Sequence, residues 1–135
     1  MLLLPMMTAT LLPPDPKRVA IFTTFDGFSA AYSLCRIANE QLKMLTRNGY
    51  HPTVIVQEGF VPKEAFDNPD LIYKYLPRVA CHNEVKKDET FDEDVSAIAL
   101  ALEDALKDID IVIDHDVIYQ NASLKHNFAA RKIAE

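Results

Sequence analysis

The sequence predicts an α/β fold in which helices cover both faces of a parallel β-sheet. Residues 19–24 and 53–56 are short apolar runs rich in β-branched side chains, typical of strands buried on both faces of such a sheet. Between them, residues 29–47 carry apolar side chains at helical spacing. Residues 92–107 and 110–114 repeat this alternation of helix and strand, so a doubly wound sheet is expected.

The composition is that of a single globular domain. The chain has 135 residues, of which 49% are hydrophobic and 25% are charged, so it is long enough to bury one core of ordinary size. Its formal net charge of -6 argues against nucleic-acid binding, because proteins that bind phosphate backbones usually carry a basic stripe.

Residues 1–16 are predicted to be an irregular leader, and residues 17–135 the folded domain. The apolar start of the leader lacks a basic region, contains Pro5 and is too short to cross a bilayer, so no membrane span is expected. Cys35 and Cys81 have neither disulfide nor metal-ligand spacing. Cys35 is predicted to be a small core residue. Because free cysteines fit a reducing compartment, a cytoplasmic location is expected.

The first helix is predicted to begin near Ser29, a suitable N-cap, and to end at Asn48 and Gly49. Its apolar side consists of Leu34, Ile37, Ala38, Leu42 and Leu45. A strand-helix-strand unit of this kind closes with a right-handed crossover, so the loop after the first strand opens at the carboxyl edge of the sheet. Ligands of open α/β sheets bind at that edge.

The connection over residues 58–76 is long and interrupted by prolines. A connection of this length either contributes to function or covers the sheet edge, and the sequence leaves both interpretations open. Residues 71–73 are predicted to form a short helical turn, and residues 78–82 a short third strand.

A second long helix is predicted over residues 92–107, because Thr90 and Glu93 have the spacing of a capping box before an apolar helical pattern. Residues 110–114 are predicted to be a buried strand, and a last helix follows with Asn121 or Ser123 as its cap. That helical pattern continues to the final residue without a terminating glycine. We therefore expect a chain that is truncated or is one half of a split protein.

The common strand order for this alternation is 3-2-1-4, in which the first and fourth strands are neighbours where the order reverses. The loops that follow these two strands, at Gly27 and at residues 115–119, should then flank one crevice. Candidate functional residues are therefore expected in these two loops.

Gly27 lies where the first strand is predicted to meet the first helix. The free amides of a helix N-terminus favour an anion such as a phosphate, although a plain turn explains Gly27 equally well. The sequence contains neither a G-x-G-x-x-G motif nor a P-loop, so no dinucleotide or other cofactor is expected.

His115, flanked by Asp114 and Asp116, ends the fourth predicted strand. An imidazole at this place can bond to a substrate hydroxyl or phosphate while a carboxylate fixes its tautomer, and a purely structural histidine is the alternative. No metal site is expected, since His82 and His126 show no ligand spacing with it. The chain also lacks a nucleophile elbow and the acidic cluster of a phosphoacceptor receiver domain.

Four stretches together resemble the N-terminal half of a GT-B glycosyltransferase, in the retaining family that includes glycogen and sucrose synthases. They are residues 19–27, 45–50, 54–56 and 110–116. In that family a glycine loop follows the first strand, the first helix ends in an Asn-Gly turn, and a later strand ends in His-Asp. The resemblance implies one Rossmann-like half of a two-domain architecture, which chiefly binds the acceptor.

The resemblance also implies functions for individual residues. Asp26, Gly27, Phe28 and Asp116 would bind substrate, with the Gly27 loop near the donor diphosphate, and His115 would face the transferred sugar. The usual glycine pair is reduced to Gly27 preceded by Asp26, and the donor-binding half is lacking.

We therefore expect a glycosyltransferase domain that is inactive alone. It would meet its nucleotide-sugar donor through a second half-domain or another copy of itself, and transfer the sugar to an acceptor that the sequence does not specify. The alternative is a non-enzymatic α/β module whose open sheet edge and apolar leader bind a protein partner.

Overall fold

The computed structural model describes residues 17–25, 27, 31–62, 68, 71–78, 87–115, 117 and 123–135. The elements within these residues are β1 (Val19–Phe22), α1 (Ser33–Arg47), β2 (Thr53–Gln57), β3 (Ile72–Leu76), α2 (Phe91–Leu106), β4 (Ile111–Asp114) and α3 (Leu124–Ala134). The predicted leader lies outside the described residues. None of the described helices combines the length and the apolar character that a membrane crossing requires.

The four strands form one parallel sheet with the order β3-β2-β1-β4, which confirms the predicted order. Ala20 pairs with Thr53 of β2, and Val19 pairs with Ile111 of β4, so β1 has a strand on each side. The chain therefore has a small Rossmann-like α/β fold, in which β1 and β4 are neighbours where the strand order reverses.

Side chains of β1 pack into two apolar clusters, because successive residues of a strand point to opposite faces. Val19 and Ile21 belong to the cluster that includes α1, whereas Ala20 and Phe22 belong to the cluster that includes α2 and α3. Ile21 is fully buried, and burying a side chain of this size contributes about 2 kcal/mol to folding. The core therefore lies on both faces of the sheet.

The helix α1 begins at Ser33 with Tyr32 as its N-cap residue, later than predicted, and Ser29 lies outside the described residues. Ile37, which the helical pattern assigned to the apolar side, is 48% exposed. The side chains that α1 buries are Cys35, Ala38, Asn39, Leu42 and Leu45.

The C-terminus of α1 ends as predicted at Asn48 and Gly49. The amide of Gly49 donates to the carbonyl of Thr46 at 3.1 Å, and the amide of Tyr50 donates to the carbonyl of Leu45 at 3.1 Å. These two bonds form a Schellman motif, in which Gly49 adopts a φ of 82°. Glycine reaches this left-handed conformation without steric strain.

The helix α2 lies within one residue of its predicted limits, but the predicted capping box is wrong. No side-chain bond caps the helix, and Thr90 Oγ1 instead donates to Asp94 Oδ2 at 2.7 Å. The buried Lys125 of α3 donates from Nζ to the same oxygen at 2.6 Å and to Asp88 Oδ2 at 2.8 Å. We call Asp88, Thr90, Asp94 and Lys125 the Lys125 cluster, and it joins the N-termini of α2 and α3.

The third strand of the sheet is Ile72–Leu76, so the predicted helical turn at residues 71–73 is wrong. Leu76 is buried in the cluster with α2, whereas Ile72 and Tyr75 are about half exposed at the sheet edge. Residues 79–82, which the sequence assigned to this strand, lie outside the described residues.

Among the described strands, β4 lies at the edge of the sheet and is not the buried strand predicted. Ile111 is 46% exposed and Val112 is 42% exposed, because no further described strand lies beside them. The helix α3 follows Ser123, which occupies the N-cap position without a side-chain capping bond, and its Phe128 is 38% exposed. The side chains that α3 buries are Lys125, His126, Asn127, Ala129 and Ala130.

Candidate functional site

The ends of β1 and β4 lie side by side at the carboxyl edge of the sheet. Phe22 and Asp114, the last residues of these strands, are paired, and the amide of His115 donates to the carbonyl of Phe22 at 3.0 Å. The two strands are parallel, so the loops that follow them leave the sheet at the same edge. The topology thus brings together the two loops in which the sequence places its candidate residues.

His115 is held inside this edge and is only 9% exposed. Its Nε2 atom lies 2.7 Å from Oε1 of Gln41, a half-buried residue of α1. An amide oxygen can only accept a hydrogen bond, so Nε2 carries the proton and donates it to Gln41. This bond joins the end of β4 to the middle of α1.

One aromatic ring lies beside His115, and a second ring packs against the first. The ring centroid of Phe25 is 6.4 Å from that of the imidazole, and the ring of Tyr32 meets Phe25 edge-on at 5.5 Å. Tyr32 is 41% exposed, so part of this aromatic surface faces solvent. We call Phe25, Gly27, Tyr32, Gln41 and His115 the carboxyl-edge site.

Gly27 lies at this edge. The sequence predicted that a helix begins directly after it, and this prediction is wrong. Gly27 forms an isolated parallel bridge with Val61, and α1 begins six residues later at Ser33. Its φ is not positive, and a Cβ atom at this position would meet the carbonyl oxygen of Val61 at 3.6 Å, an ordinary contact. The carbonyl of Gly27 accepts a weak hydrogen bond from Cys35 Sγ at 3.8 Å. Cys35 is a buried residue of α1, so this bond links Gly27 to the first helix.

Polar side chains at the ends of β1 and β2 hold the loop after β1. Thr23 is buried, and its Oγ1 accepts a bond from the amide of Phe25 at 3.4 Å. Gln57, the last residue of β2, is also buried, and its Nε2 donates to the carbonyl of Thr24 at 3.0 Å. These bonds fix the backbone that places Phe25 next to His115.

Three residues that the sequence assigned to the site, Asp26, Phe28 and Asp116, lie outside the described residues. The other two, Gly27 and His115, lie at one edge of the sheet. Within the described ranges, no group of three or more His, Cys, Asp or Glu side chains is arranged to hold a metal ion.

Two residues of the carboxyl-edge site, Tyr32 and Gln41, lie outside the stretches in which the sequence predicts function, whereas Phe25 lies in the predicted loop after β1 but was given no individual role. Gln41 lies about one helical turn from Ala38 and from Leu45, both buried residues of α1. A polar side chain among the apolar positions of a helix is the signal that identifies Gln41. The aromatic pair carries no comparable signal, because isolated aromatic residues near a strand end are ordinary core or surface residues.

A second surface, the groove beside the N-terminus of α2 and the C-terminus of α3, has a less defined chemistry. A cavity of about 690 Å³ lies against Phe91 and Phe128, and Lys87 Nζ is 5.2 Å and 5.0 Å from their ring centroids. Its lining includes both a cation, Arg131, and an anion, Asp92. This mixture does not select a ligand of either charge.

Comparison of the chain with known proteins gives no match. No protein-family model, no curated protein and no solved structure matches the chain. A functional assignment therefore depends on the fold and on the residues of the carboxyl-edge site.

Proposed function

We propose that the chain is the acceptor-side domain of a glycosyltransferase, which moves a sugar from a nucleotide-sugar donor to an acceptor. The observation that carries the proposal is the placement of His115, held at the carboxyl end of β4 beside β1 by its bond to Gln41. Ligands of doubly wound sheets bind at this point of strand reversal. The resemblance of four sequence stretches to GT-B enzymes supports the same function.

The chemistry of the carboxyl-edge site suits a sugar. Phe25 and Tyr32 offer apolar ring surface to the C–H groups of a sugar ring, while His115 offers a hydrogen-bonding group to its hydroxyls. Small-molecule sites commonly combine aromatic lining with a few fixed polar groups. In the proposal His115 contacts the transferred sugar, and its fixed dipole stabilises the charge that develops during transfer.

The other substrate-binding residues of the proposal are those that the resemblance implies. They are Asp26, Gly27, Phe28 and Asp116, of which the structure describes Gly27. Gly27 presents no side chain, so a diphosphate group can approach its backbone closely.

The donor nucleotide is proposed to bind mainly to a second domain. A single side of a crevice encloses only part of a ligand, whereas small-molecule sites bury most of the ligand surface. We therefore propose that the chain alone does not transfer sugar, and that a second half-domain or another copy completes the site.

A second candidate function is a non-enzymatic module that binds a protein partner. The edge strand β4 favours it, since Ile111 and Val112 are both exposed there. An exposed apolar edge strand is a place where another chain can add a strand.

Titration of the isotope-labelled chain with saccharides, nucleoside-diphosphate sugars and free nucleotides tests the proposal by amide NMR. We expect saccharides to shift the amides of Phe25, Gly27 and Tyr32 with weak affinity. His115→Ala should weaken this binding about tenfold, the effect of losing about 1.4 kcal/mol of interaction. His51→Ala changes an exposed histidine and is the matched control.

The two candidate functions give different results. Absence of any saccharide response at the carboxyl-edge site would contradict the acceptor-side assignment. Micromolar binding of a nucleotide sugar to this chain alone would contradict the need for a second domain. Amide shifts confined to β4 on addition of a protein, with no response to saccharides, would support the module.

A further inference from the structure

Gln41 reaches His115 from a distant part of the chain. The two residues are 74 positions apart, yet Nε2 of the imidazole and Oε1 of the amide are 2.7 Å apart. Gln41 is half buried on the side of α1 that faces the sheet, and His115 is buried at the end of β4. A short bond between two poorly exposed groups holds both side chains in one orientation, since neither gains a comparable bond to water by moving.

The bond also determines which ring nitrogen carries the proton. The acceptor is an amide oxygen, so Nε2 is protonated, and in a neutral imidazole the acceptor lone pair is then on Nδ1. The ring of Phe25 is the described aromatic neighbour of the imidazole, tilted by 49° with 6.4 Å between the centroids. His115 therefore has both a fixed ring plane and a fixed tautomer.

We propose that Gln41 is the positioning residue of the carboxyl-edge site, and that it holds His115 as the Nε2–H tautomer. Its relevance to sugar binding rests on the function proposed above, whereas the tautomer itself does not. The Nε2–H group is occupied by its bond to Gln41, so the bond fixes the ring plane and the tautomer of His115. Gln41 therefore acts on ligand binding only through the imidazole.

The test is NMR of the imidazole nitrogens in the ligand-free chain, with the His115 signals assigned by their loss in His115→Gln. In the unaltered chain we expect a protonated Nε2 and an unprotonated Nδ1 at neutral pH. Gln41→Leu should produce a mixture of tautomers. Gln41→Glu keeps an acceptor oxygen, so it should retain the Nε2–H tautomer and raise the His115 pKa above that of the unaltered chain by about 1–2 units, because a carboxylate stabilises the imidazolium.

Arg36→Leu is the control, because it makes the same kind of change at an exposed position of α1. It should leave the His115 signals unchanged. A predominantly Nδ1–H imidazole in the unaltered chain, or the same tautomer and pKa in all three Gln41 forms, would overturn the proposal. If Gln41→Leu does not fold, Gln41→Glu decides the question through the His115 pKa.

Saccharide titration of the same variants separates this proposal from the proposed function. We expect Gln41→Leu to weaken saccharide binding about three- to tenfold, with partial rescue in Gln41→Glu. If the tautomer depends on Gln41 but no saccharide binds, Gln41 is a positioning residue and the sugar assignment fails alone. If saccharides bind but the tautomer does not respond to residue 41, the positioning proposal fails alone.

Discussion

Among single residues, Gly27 and Gly49 differ in what their backbones require. Gly49 has a φ of 82° and open space around its Cβ position, so Gly49→Ala suffers only the strain of a left-handed backbone. We expect Gly49→Ala to lower the free energy of unfolding by about 1 kcal/mol. Gly27→Ala should change it by less than about 0.5 kcal/mol, because the new Cβ would make an ordinary contact. Denaturant unfolding of the two variants measures both changes, and an equal loss in both would contradict the structure.

His126 is a second residue with a measurable consequence, since it is fully buried on α3. Neither ring nitrogen makes a hydrogen bond of normal geometry to any described group. Burial lowers the pKa of His126 from 6.5 to about 4, and the backbone of Pro77 offsets only part of this effect. The imidazole is therefore neutral in the folded chain at neutral pH.

The lowered pKa of His126 makes the fold sensitive to acid. Between these two pKa values the unfolded chain binds more protons than the folded chain, so stability falls as the pH is lowered through this range. We expect a loss of about 2 kcal/mol between about pH 7 and about pH 4.5. The loss should be smaller in His126→Gln or His126→Leu and unchanged in the exposed control His51→Gln. Denaturant unfolding at both pH values measures this loss. An equal loss of stability in all four proteins would show that His126 is not the cause.

Among the elements, α2 and α3 depend on the Lys125 cluster. Lys125 is 4% exposed, and its bonds to Asp88 and Asp94 raise its pKa above the ordinary value of 10.5. The same bonds to Lys125 lower the pKa values of Asp88 and Asp94 below 3.8, with a further bond from Thr90 to Asp94. The ammonium group and the two carboxylates of the cluster are therefore charged from mildly acidic to mildly basic pH.

Lys125→Met keeps the buried aliphatic chain but removes the ammonium group. We expect the free energy of unfolding to fall by about 1–2 kcal/mol, a moderate effect because both carboxylates are partly exposed and screened by water. The carboxylates stabilise the folded state only when ionised, so the difference should shrink as the pH falls below about 4. Lys132→Met, on the exposed side of α3, is the control. A difference that persists unchanged in strong acid would indicate lost packing and not a lost ion pair.

The elements also show where sequence patterns are sufficient. β1, β2 and α2 were predicted closely, because a continuous apolar run or a helical repeat reflects burial on the faces of one element. β3 was missed because Lys74 interrupts its apolar residues, and an edge strand does not need a continuous apolar run. The sequence of β4 is typical of a buried strand, yet its exposure depends on what lies beside it, which a local pattern does not contain.

The candidate site was also predictable only in part from the sequence. The strand order alone brings the loops at Gly27 and His115 to one edge of the sheet. The bond between Gln41 and His115 depends on how α1 lies across the sheet, so no spacing in the sequence pairs these two residues.

For the whole molecule, the two edges of the sheet differ in how they meet solvent. The β3 edge carries Lys74 between its aromatic residues, and an edge lysine discourages pairing with another chain. The β4 edge exposes the adjacent Ile111 and Val112, and its charged residues, Asp110 and Asp114, lie before and after this apolar pair. These two side chains point to opposite faces of the sheet, so a strand added beside β4 would cover apolar surface on both faces. Association through β4 is therefore favoured over association through β3.

We expect the purified chain to associate with itself through β4, and sedimentation velocity over a range of concentrations measures this. Val112→Lys and Ile111→Lys should shift the chain to a monomer while changing the stability of the fold little, since both side chains are already half exposed. Leu100→Lys, which alters a residue of α2 that is 68% exposed, should associate like the unaltered chain. If Leu100→Lys abolishes association and the β4 variants do not, the contact lies on α2. A chain that stays monomeric at every concentration would contradict this prediction and leave the β4 edge without a role in self-association.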